Sequence, residues 1–334
     1  MYGKTNNNTV YASDMAAGNG GFAMTGLTPN IGVVGRVAGG GDLNGDGYDD
    51  VIISDPGIST NTGRMYVVYG SSAGVSLAAS SSLGSSGFVV SGNAVNQFFA
   101  SDVEIVGDIN GDGLADMVAV DFNRQAYVIY GSPNAINLTV GISTVDATGA
   151  RGFGFLMNDP DNSAASYATN YYGQQAHITP IGDFNGDGLA DFMLGYYAGD
   201  RYTLTDAGKS YVIYGRTSSA SFSATSMSAS DGFRILGETT NDWSGYSVSG
   251  GQDVNGDGFT DLLISAPRAA AGGTSNGKSY VIFGGNSTYS PVVFDPASGD
   301  AIGGTGNDSL SGNSGNNQLV GGAGSDILSG VGGA

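Results

Sequence analysis

The chain has 334 residues, of which only 12% are charged, and it carries a formal net charge of −19 and no cysteine. The lack of cysteine excludes disulfides and thiol chemistry, and the acidity argues against nucleic acid or an anionic membrane surface as a partner. No apolar run reaches the roughly 20 residues of a membrane-spanning helix, so we expect no membrane insertion.

Four acidic clusters recur along the chain, and the first reads GDLNGDGYDD. They begin at Asp42, Asp108, Asp183 and Asp253, at intervals of 66, 75 and 70 residues. Each is followed by an apolar run and by a second run typified by YVIYG, and the first three are then followed by a Ser/Ala-rich connection that ends in GF. A further GF, at 21–22, precedes the first cluster. Each repeat therefore predicts four short strands: A before the cluster, B after it, C at YVIYG and D at GF. Such units predict an all-β fold, a β-propeller with one four-stranded unit per blade.

The spacing within each cluster is Asp-x-Asn-x-Asp-Gly-x-x-Asp. Side-chain oxygens at alternating positions converge if the chain curls at the glycine, and the seventh residue adds a backbone carbonyl. An all-oxygen, partly anionic set suits a hard cation, so we expect one Ca²⁺ per loop, about four in all. Because each ion adds two charges, four ions would change the formal charge from −19 to −11. The predicted ligands are Asp42, Asn44, Asp46, Tyr48 and Asp50; Asp108, Asn110, Asp112, Leu114 and Asp116; Asp183, Asn185, Asp187, Leu189 and Asp191; and Asp253, Asn255, Asp257, Phe259 and Asp261.

An EF-hand begins with the same spacing but needs a glutamate at its twelfth position and flanking helices. The twelfth positions here are Ile53, Ala119, Leu194 and Ile264, each inside an apolar run. The loop therefore serves as a hairpin between strands A and B. A solvated, metal-free Asx turn is the alternative interpretation.

The repeats resemble FG-GAP repeats, the building blocks of integrin α-subunit propellers and of many bacterial extracellular proteins. The GAP position reads SDP at 54–56 and SAP at 265–267, and the FG position is degenerate, as in WS at 243–244. The resemblance covers roughly residues 20–285 and implies a propeller with structural Ca²⁺ in its A–B loops.

From residue 303 the period changes to nine, as in GGTGNDSLS. This pattern resembles the RTX repeats of bacterial proteins exported by type I secretion, and it implies a parallel β-roll in which glycine-rich turns bind Ca²⁺. Because turns alternate between two sides, Asp308 and Asp326 are expected to share one further ion. A flexible Gly/Ser tail is the alternative. We expect a propeller over 1–297, a roll stub over 298–334, and a secreted or cell-surface location.

Two arrangements of the repeats remain open. The units, around 31–92, 98–157, 172–237 and 243–285, either form a closed four-blade ring, completed by the N-terminal strand at 20–26, or are part of a larger propeller. The chain is expected to belong to a larger polypeptide.

The loops between B and C and between D and A lie at the end of the blade opposite the acidic loops. The largest of these loops belong to the third repeat and are rich in tyrosine, which predicts a protein or glycan ligand there. Packing of the loops against the blades is the alternative. The candidate residues are Tyr167, Tyr171, Tyr172, Tyr196, Tyr197, Arg201 and Tyr202.

No H-E-x-x-H zinc-protease motif is present in the sequence. His177 is the only histidine, and we expect it to pack within a strand. The predicted function is therefore non-catalytic adhesion or recognition. The alternative is an accessory domain of a secreted polysaccharide- or ester-degrading enzyme whose catalytic part lies outside the chain. Within the chain, the carboxylates available for hydrolysis beyond the acidic loops are Asp159, Asp161, Asp200 and Asp206.

Overall fold

The computed structural model of the chain describes residues 13, 23–25, 35–71, 77–78, 82–134, 138–140, 151–157, 176–200, 204–269, 276–284, 293–295, 300–302, 309–311, 319–320 and 327–329. These residues form β-strands joined by turns, with short helical turns at Ile58–Asn61 and Gly84–Ser86. The all-β class predicted from the repeats is confirmed. The chain divides into two compact units. The first unit consists of Met1–Asp159, Ala164–Pro180 and Arg216–Ala224. The second unit consists of Pro160–Ser163, Ile181–Gly215 and Thr225–Ala334.

The described strands follow the predicted A–B–C–D order in the first three repeats and the order A–B–C in the fourth. They are β1 (Met24–Thr25), β2 (Val37–Gly41), β3 (Asp50–Asp55), β4 (Arg64–Val68), β5 (Leu77–Ala78), β6 (Gly87–Gly92), β7 (Asp102–Gly107), β8 (Asp116–Val120), β9 (Gln125–Ile129), β10 (Leu138–Val140), β11 (Gly152–Leu156), β12 (His177–Gly182), β13 (Asp191–Tyr196), β14 (Lys209–Ile213), β15 (Phe222–Ser223), β16 (Gly232–Leu236), β17 (Val248–Gln252), β18 (Asp261–Ala266), β19 (Lys278–Ile282), β20 (Val293–Asp295), β21 (Asp300–Ile302), β22 (Ser309–Ser311), β23 (Leu319–Val320) and β24 (Ile327–Ser329).

Four sheets correspond to the four repeats and are called blades I to IV. Blade I has the order β2-β3-β4-β6 and blade II the order β7-β8-β9-β11, with antiparallel pairing throughout. Blade III has the order β12-β13-β14-β16, and blade IV has β17-β18-β19 among the described strands.

The C–D connections add a short strand to a neighbouring sheet. β10 pairs in parallel with β6, β15 pairs in parallel with β11, and β5 pairs in parallel with β1. By this pattern β1 takes the place of strand D in the unit that precedes blade I. That unit is either blade IV or a unit outside the chain, so closure into a four-blade ring stays a prediction.

Strand B is buried on both faces in blades II and III. All five residues of β8 and all six of β13 are buried. Two-sided burial explains why the sequence reads MVAV and FMLG there rather than alternating between apolar and polar residues. Each of the larger apolar side chains among them, such as Met117 and Phe192, contributes about 1.5–3 kcal/mol through the area that it removes from water.

Each compact unit has its own core. In the first unit, blades I and II pack through side chains such as Ile52, Met65 and Met117, which are fully buried. In the second unit, Ile181, Met193 and Leu262 are equally buried.

The glycine of the GF motif is required by close backbone contact. Gly152 has φ +145°, and a Cβ there would lie 1.9 Å from the carbonyl oxygen of Val128 in strand C. Gly87 and Gly232 repeat this contact in blades I and III. Any side chain would push strand D away from strand C, so the motif marks the point where D joins the blade.

The FG position docks one blade on the B–C loop of the blade before it. In the first unit the Phe98 N–H donates to the Asn61 carbonyl at 2.7 Å. In the second unit the Trp243 N–H donates to the Asp206 carbonyl at 3.1 Å. The repeat therefore carries its own connector to its neighbour, at the end of the blade opposite the acidic loop.

Candidate metal centre

The four acidic loops share one hydrogen-bond pattern, which begins with the first aspartate. Asp42 Oδ1 accepts the Gly45 N–H at 2.6 Å, and Asp42 Oδ2 accepts the Gly47 N–H at 2.8 Å. The equivalent bonds are made by Asp108, Asp183 and Asp253. Each loop is thus an Asx-type turn wound around its first carboxylate.

The third and fifth residues bond to each other at the loop tip. The Asp46 N–H donates to Asn44 Oδ1 and Asn44 Nδ2 donates to Asp46 Oδ2, both at 2.9 Å. The Tyr48 N–H donates to Asp46 Oδ1 at 2.9 Å. The other three loops repeat these bonds. The fifth aspartate is exposed in every copy, so the tip presents carboxylate oxygen to solvent.

The ninth aspartate has a different environment, because it is completely buried in all four copies. Asp116 Oδ2 accepts the Ile109 N–H of its own loop, and Asp116 Oδ1 accepts the Gly131 N–H just beyond strand C, both at 2.8 Å. The same two bonds are made by Asp50, Asp191 and Asp261. This aspartate therefore ties the acidic loop to the end of strand C, a connection that the local spacing did not predict.

The first and the ninth aspartates differ in the direction of their pKa shifts. Burial raises the pKa of Asp50 to about 6 and the pKa of Asp116 and Asp191 to about 7, against the opposing effect of their backbone N–H bonds. At the first position of the fourth loop, backbone N–H bonds, led by that of Gly258, lower the pKa of Asp253. Hydrogen bonding thus favours the charged form of Asp253, while desolvation disfavours the charged forms of Asp50, Asp116 and Asp191.

The donor atoms of the loop are of the chemical types that a hard cation prefers, since each copy offers three carboxylates, an amide oxygen and backbone carbonyls within nine residues. Among the described residues, no group of three or more His, Cys, Asp or Glu side chains is gathered into a metal centre. The loop carboxylates are bonded to backbone N–H groups instead. The assignment of the loop residues as ligands therefore stays a prediction.

In the C-terminal tail, β22 pairs in parallel with β24 and sets Leu310 beside Leu328. The first and third nonapeptides thus lie side by side, as expected for turns that alternate between two sides. Asp308 and Asp326 lie outside the described residues, and their shared ion stays a prediction.

The tyrosines predicted to bind a ligand differ in how far they are buried. Tyr196 is only 4% exposed inside β13 and is a packing residue. Tyr197 is half-buried, with its ring 5.3 Å from that of Trp243 and 5.1 Å from that of Tyr246. Arg268 stacks on Trp243, with its guanidinium carbon 3.4 Å from the ring centroid. Outside the described residues lie Tyr167, Tyr171, Tyr172, Arg201 and Tyr202.

Sequence reasoning missed Trp243, Tyr246 and Arg268 as members of this group. The only available signal was the presence of the single tryptophan at an FG position. Of the carboxylates considered for hydrolysis, Asp200 is buried and accepts the Asp206 N–H at 3.0 Å. Asp159 and Asp161 lie outside the described residues.

His177 lies in strand A of blade III, as expected, beside a buried carboxylate. Its Nδ1 is 3.8 Å from Asp102 Oδ2, and Arg36 Nε is 3.6 Å from Asp102 Oδ1. Burial lowers the pKa of His177, with Asp102 opposing the shift. The Ile178 N–H also donates to Asp102 Oδ2, at 3.1 Å. The group therefore connects successive A strands.

The four-stranded blades and their acidic hairpins are consistent with the FG-GAP repeats of an integrin α-like β-propeller. More particularly, the chain contains FG-GAP repeats, which the family profile matches at residues 178–213 and 244–282. It also contains the RTX calcium-binding nonapeptide repeat, matched at residues 302–334. Both findings support a calcium-binding extracellular module. No helix within the described residues is long and apolar enough to cross a membrane.

Two characterised proteins are similar to parts of the chain. A phosphatidylinositol-glycan-specific phospholipase D of Dictyostelium discoideum is 26% identical over 257 residues, which cover 68% of this chain and 24% of that protein. Integrin alpha-M of Mus musculus is 36% identical over 94 residues, which cover 27% of this chain and 7% of that protein. The chain thus spans about a quarter or less of each relative.

Proposed function

We propose that the chain is a non-catalytic, calcium-stabilised recognition or adhesion module of a larger bacterial RTX protein. The observation that carries the proposal is the identical hydrogen-bond pattern of the four acidic loops. In each copy the first and ninth carboxylates accept backbone N–H groups, and the fifth aspartate keeps the loop tip exposed. Four loops of identical chemistry in one chain favour a common ligand over four independent solvated turns.

In each loop the first, third, fifth and ninth side chains and the seventh carbonyl would hold Ca²⁺, about four ions in the blades and one more in the tail. The ion would supply positive charge to the acidic tip. The chain's own residues do the rest: the first aspartate winds the turn, and the ninth aspartate fastens it to strand C. The loop therefore transmits any gain in its own order to two strands of the blade.

Recognition is assigned to the end of the blades opposite the acidic loops, with a protein or glycan as the partner. The support is the concentration of aromatic side chains in the B–C and D–A loops of blades III and IV. The RTX repeats support secretion, and type I export is the route proposed for it.

The test is thermal unfolding of the chain in Ca²⁺ and in EGTA, combined with ion counting by mass spectrometry. A site at a hundredfold excess of ion over its Kd adds about 2.7 kcal/mol of stability. Two such sites in one compact unit would raise Tm by roughly 10–20 °C, given about 2–4 °C per kcal/mol for a unit of this size. Equal melting curves with no bound ion would refute the calcium proposal.

A second candidate function is an accessory domain of a secreted hydrolase. The similarity to the phospholipase D over 68% of this chain favours it, because that protein is about four times longer than the aligned part. Recognition by this chain would then direct a catalytic domain encoded elsewhere to its substrate. Hydrolysis of polysaccharides or esters by the purified chain, abolished by Asp200→Asn or Asp206→Asn, would instead assign catalysis to the chain itself.

A further inference from the structure

Three aromatic rings and one guanidinium form a cluster in the second compact unit, which we call the aromatic cluster (Tyr197, Trp243, Tyr246 and Arg268). The Trp243 and Tyr246 rings are nearly parallel, 9° apart in plane and 6.1 Å between centroids. Tyr197 contacts both rings. Tyr246 is 44% exposed, and Arg268 is also exposed. The cluster is thus a surface feature and not part of the core.

The blade topology fixes where this cluster lies. Tyr197 follows β13, Trp243 and Tyr246 precede β17, and Arg268 follows β18. Because β17 and β18 are antiparallel, the start of one strand adjoins the end of the other. The acidic loop joins the opposite ends of these two strands. The cluster is therefore separated from the acidic loop of its own blade by the length of a strand.

The equivalent position in the first compact unit shows that exposure is not required by the fold. There the FG-position ring of Phe98 stacks on Phe122, with centroids 4.5 Å apart, and is only 8% exposed. Phe98 and Trp243 share a positive φ, 50° and 58°, so the backbone is the same. Blade IV places a larger ring and a cation where blade II buries a pair of phenylalanines.

Stacking on Trp243 leaves the guanidinium of Arg268 able to bind a ligand. Its N–H groups lie in the guanidinium plane, so stacking on the ring face does not itself use them as donors. The cluster therefore combines flat apolar ring faces with in-plane hydrogen-bond donors and a tyrosine hydroxyl at its rim. That combination matches a pyranose, which has an apolar face of C–H groups and a rim of hydroxyls.

From this geometry we propose that the aromatic cluster binds a neutral, pyranose-based glycan. The sugar ring stacks on the exposed ring of Tyr246 at the edge of the cluster, and Arg268 donates to its hydroxyls. The net charge of −19 repels anionic polysaccharides over long range, which favours a neutral sugar over an acidic one. This inference rests on the proposed recognition function and assigns its ligand class and its residues.

The single tryptophan of the chain makes the test specific, because its fluorescence reports on this cluster alone. The intact chain is titrated in Ca²⁺ with neutral gluco-, manno- and galacto-oligosaccharides of four to six sugars, and calorimetry is run in parallel. At least one series is expected to change Trp243 emission saturably. Tyr246→Ala is expected to weaken that binding about tenfold or more, since loss of a stacked ring contributes about one such factor.

Phe283→Ala is the matched control, since Phe283 is also an exposed aromatic residue, at 46%, and lies outside the aromatic cluster and the acidic loops. It is expected to bind as the wild type does. The proposal is overturned if no series changes emission or gives binding heat, or if Tyr246→Ala binds with unchanged affinity. Binding of tetramethylammonium or a basic peptide at Trp243 in place of sugars also overturns it. If Tyr246→Ala still binds a protein or glycan elsewhere on the chain, the recognition function survives and this site does not.

Discussion

The ninth aspartate of each acidic loop is expected to stabilise the blade even without metal, and Asp116→Asn tests this. Asparagine keeps the size of the side chain but replaces one carboxylate oxygen by an amide N–H₂. Asp116 accepts hydrogen bonds from the backbone N–H groups of Ile109 and Gly131. In the variant, one of these two N–H groups faces the amide N–H₂, which is itself a donor. A buried donor without an acceptor costs about 1–3 kcal/mol. At about 2–4 °C per kcal/mol, Tm should fall by roughly 3–10 °C.

The assay is thermal unfolding in EGTA, where a change of metal affinity has no effect. Asp112→Asn is the control, because Asp112 belongs to the same loop but is exposed, and surface substitutions change stability by about 0.5 kcal/mol or less. In Ca²⁺ both variants should lose stability. If Asp116→Asn and the wild type have the same Tm in EGTA, the structural role of the ninth aspartate is refuted.

Two other predictions concern sites away from the metal loops. Gly152→Ala should destabilise the first compact unit by more than about 2 kcal/mol in urea unfolding, because its Cβ would meet a strand C carbonyl at 1.9 Å. Gly84→Ala, at φ +63° with open space around it, should lose only about 1–2 kcal/mol, and equal losses would contradict the close-contact argument. Burial, reinforced by Asp102, raises the pKa of Glu104 to about 7. The ionised form is therefore disfavoured on folding, and stability is lost as pH rises from about 4.5 through 7. Glu104→Gln should accordingly be more stable than wild type at pH 8, by about 1 kcal/mol after allowance for partial exposure, and equal to it near pH 4. An unchanged difference across that range would refute the assignment.

The strands and the acidic hairpins could be predicted from the sequence because their determinants are local. An acidic loop forms most of its hydrogen bonds within nine residues, so the spacing of Asp42, Asn44 and Asp46 is sufficient to predict the turn. The GF motif is similarly local, since a positive φ at Gly87 restricts the position to glycine. The seventy-residue period then supplied the class of fold.

Contacts between distant segments could not be predicted in this way. The loop spacing predicts Asp50 as a ligand, but it does not predict that the Gly70 N–H beyond strand C donates to Asp50 Oδ1 at 2.8 Å. Tyr197 and Trp243 are separated by 46 positions and meet only because successive blades pack together. The sequence indicated a tyrosine-rich recognition region in blade III, whereas the described rings gather where blade III meets blade IV.

The two ends of the blades therefore differ in which substitutions they tolerate. At the acidic end, the repeated aspartates are bonded to the backbone and to strand C, so a change in one loop alters the order of its own blade. At the other end, the FG connector needs only its backbone N–H bond to the preceding blade, which Phe98 and Trp243 both make. The side chain at that position is consequently free to differ between blades without disturbing the docking. Blade II uses this freedom to bury a phenylalanine pair, and blade IV uses it to present Trp243 with an arginine. A repeat that fixes its architecture at one end can thus vary the side chains that it presents at the other.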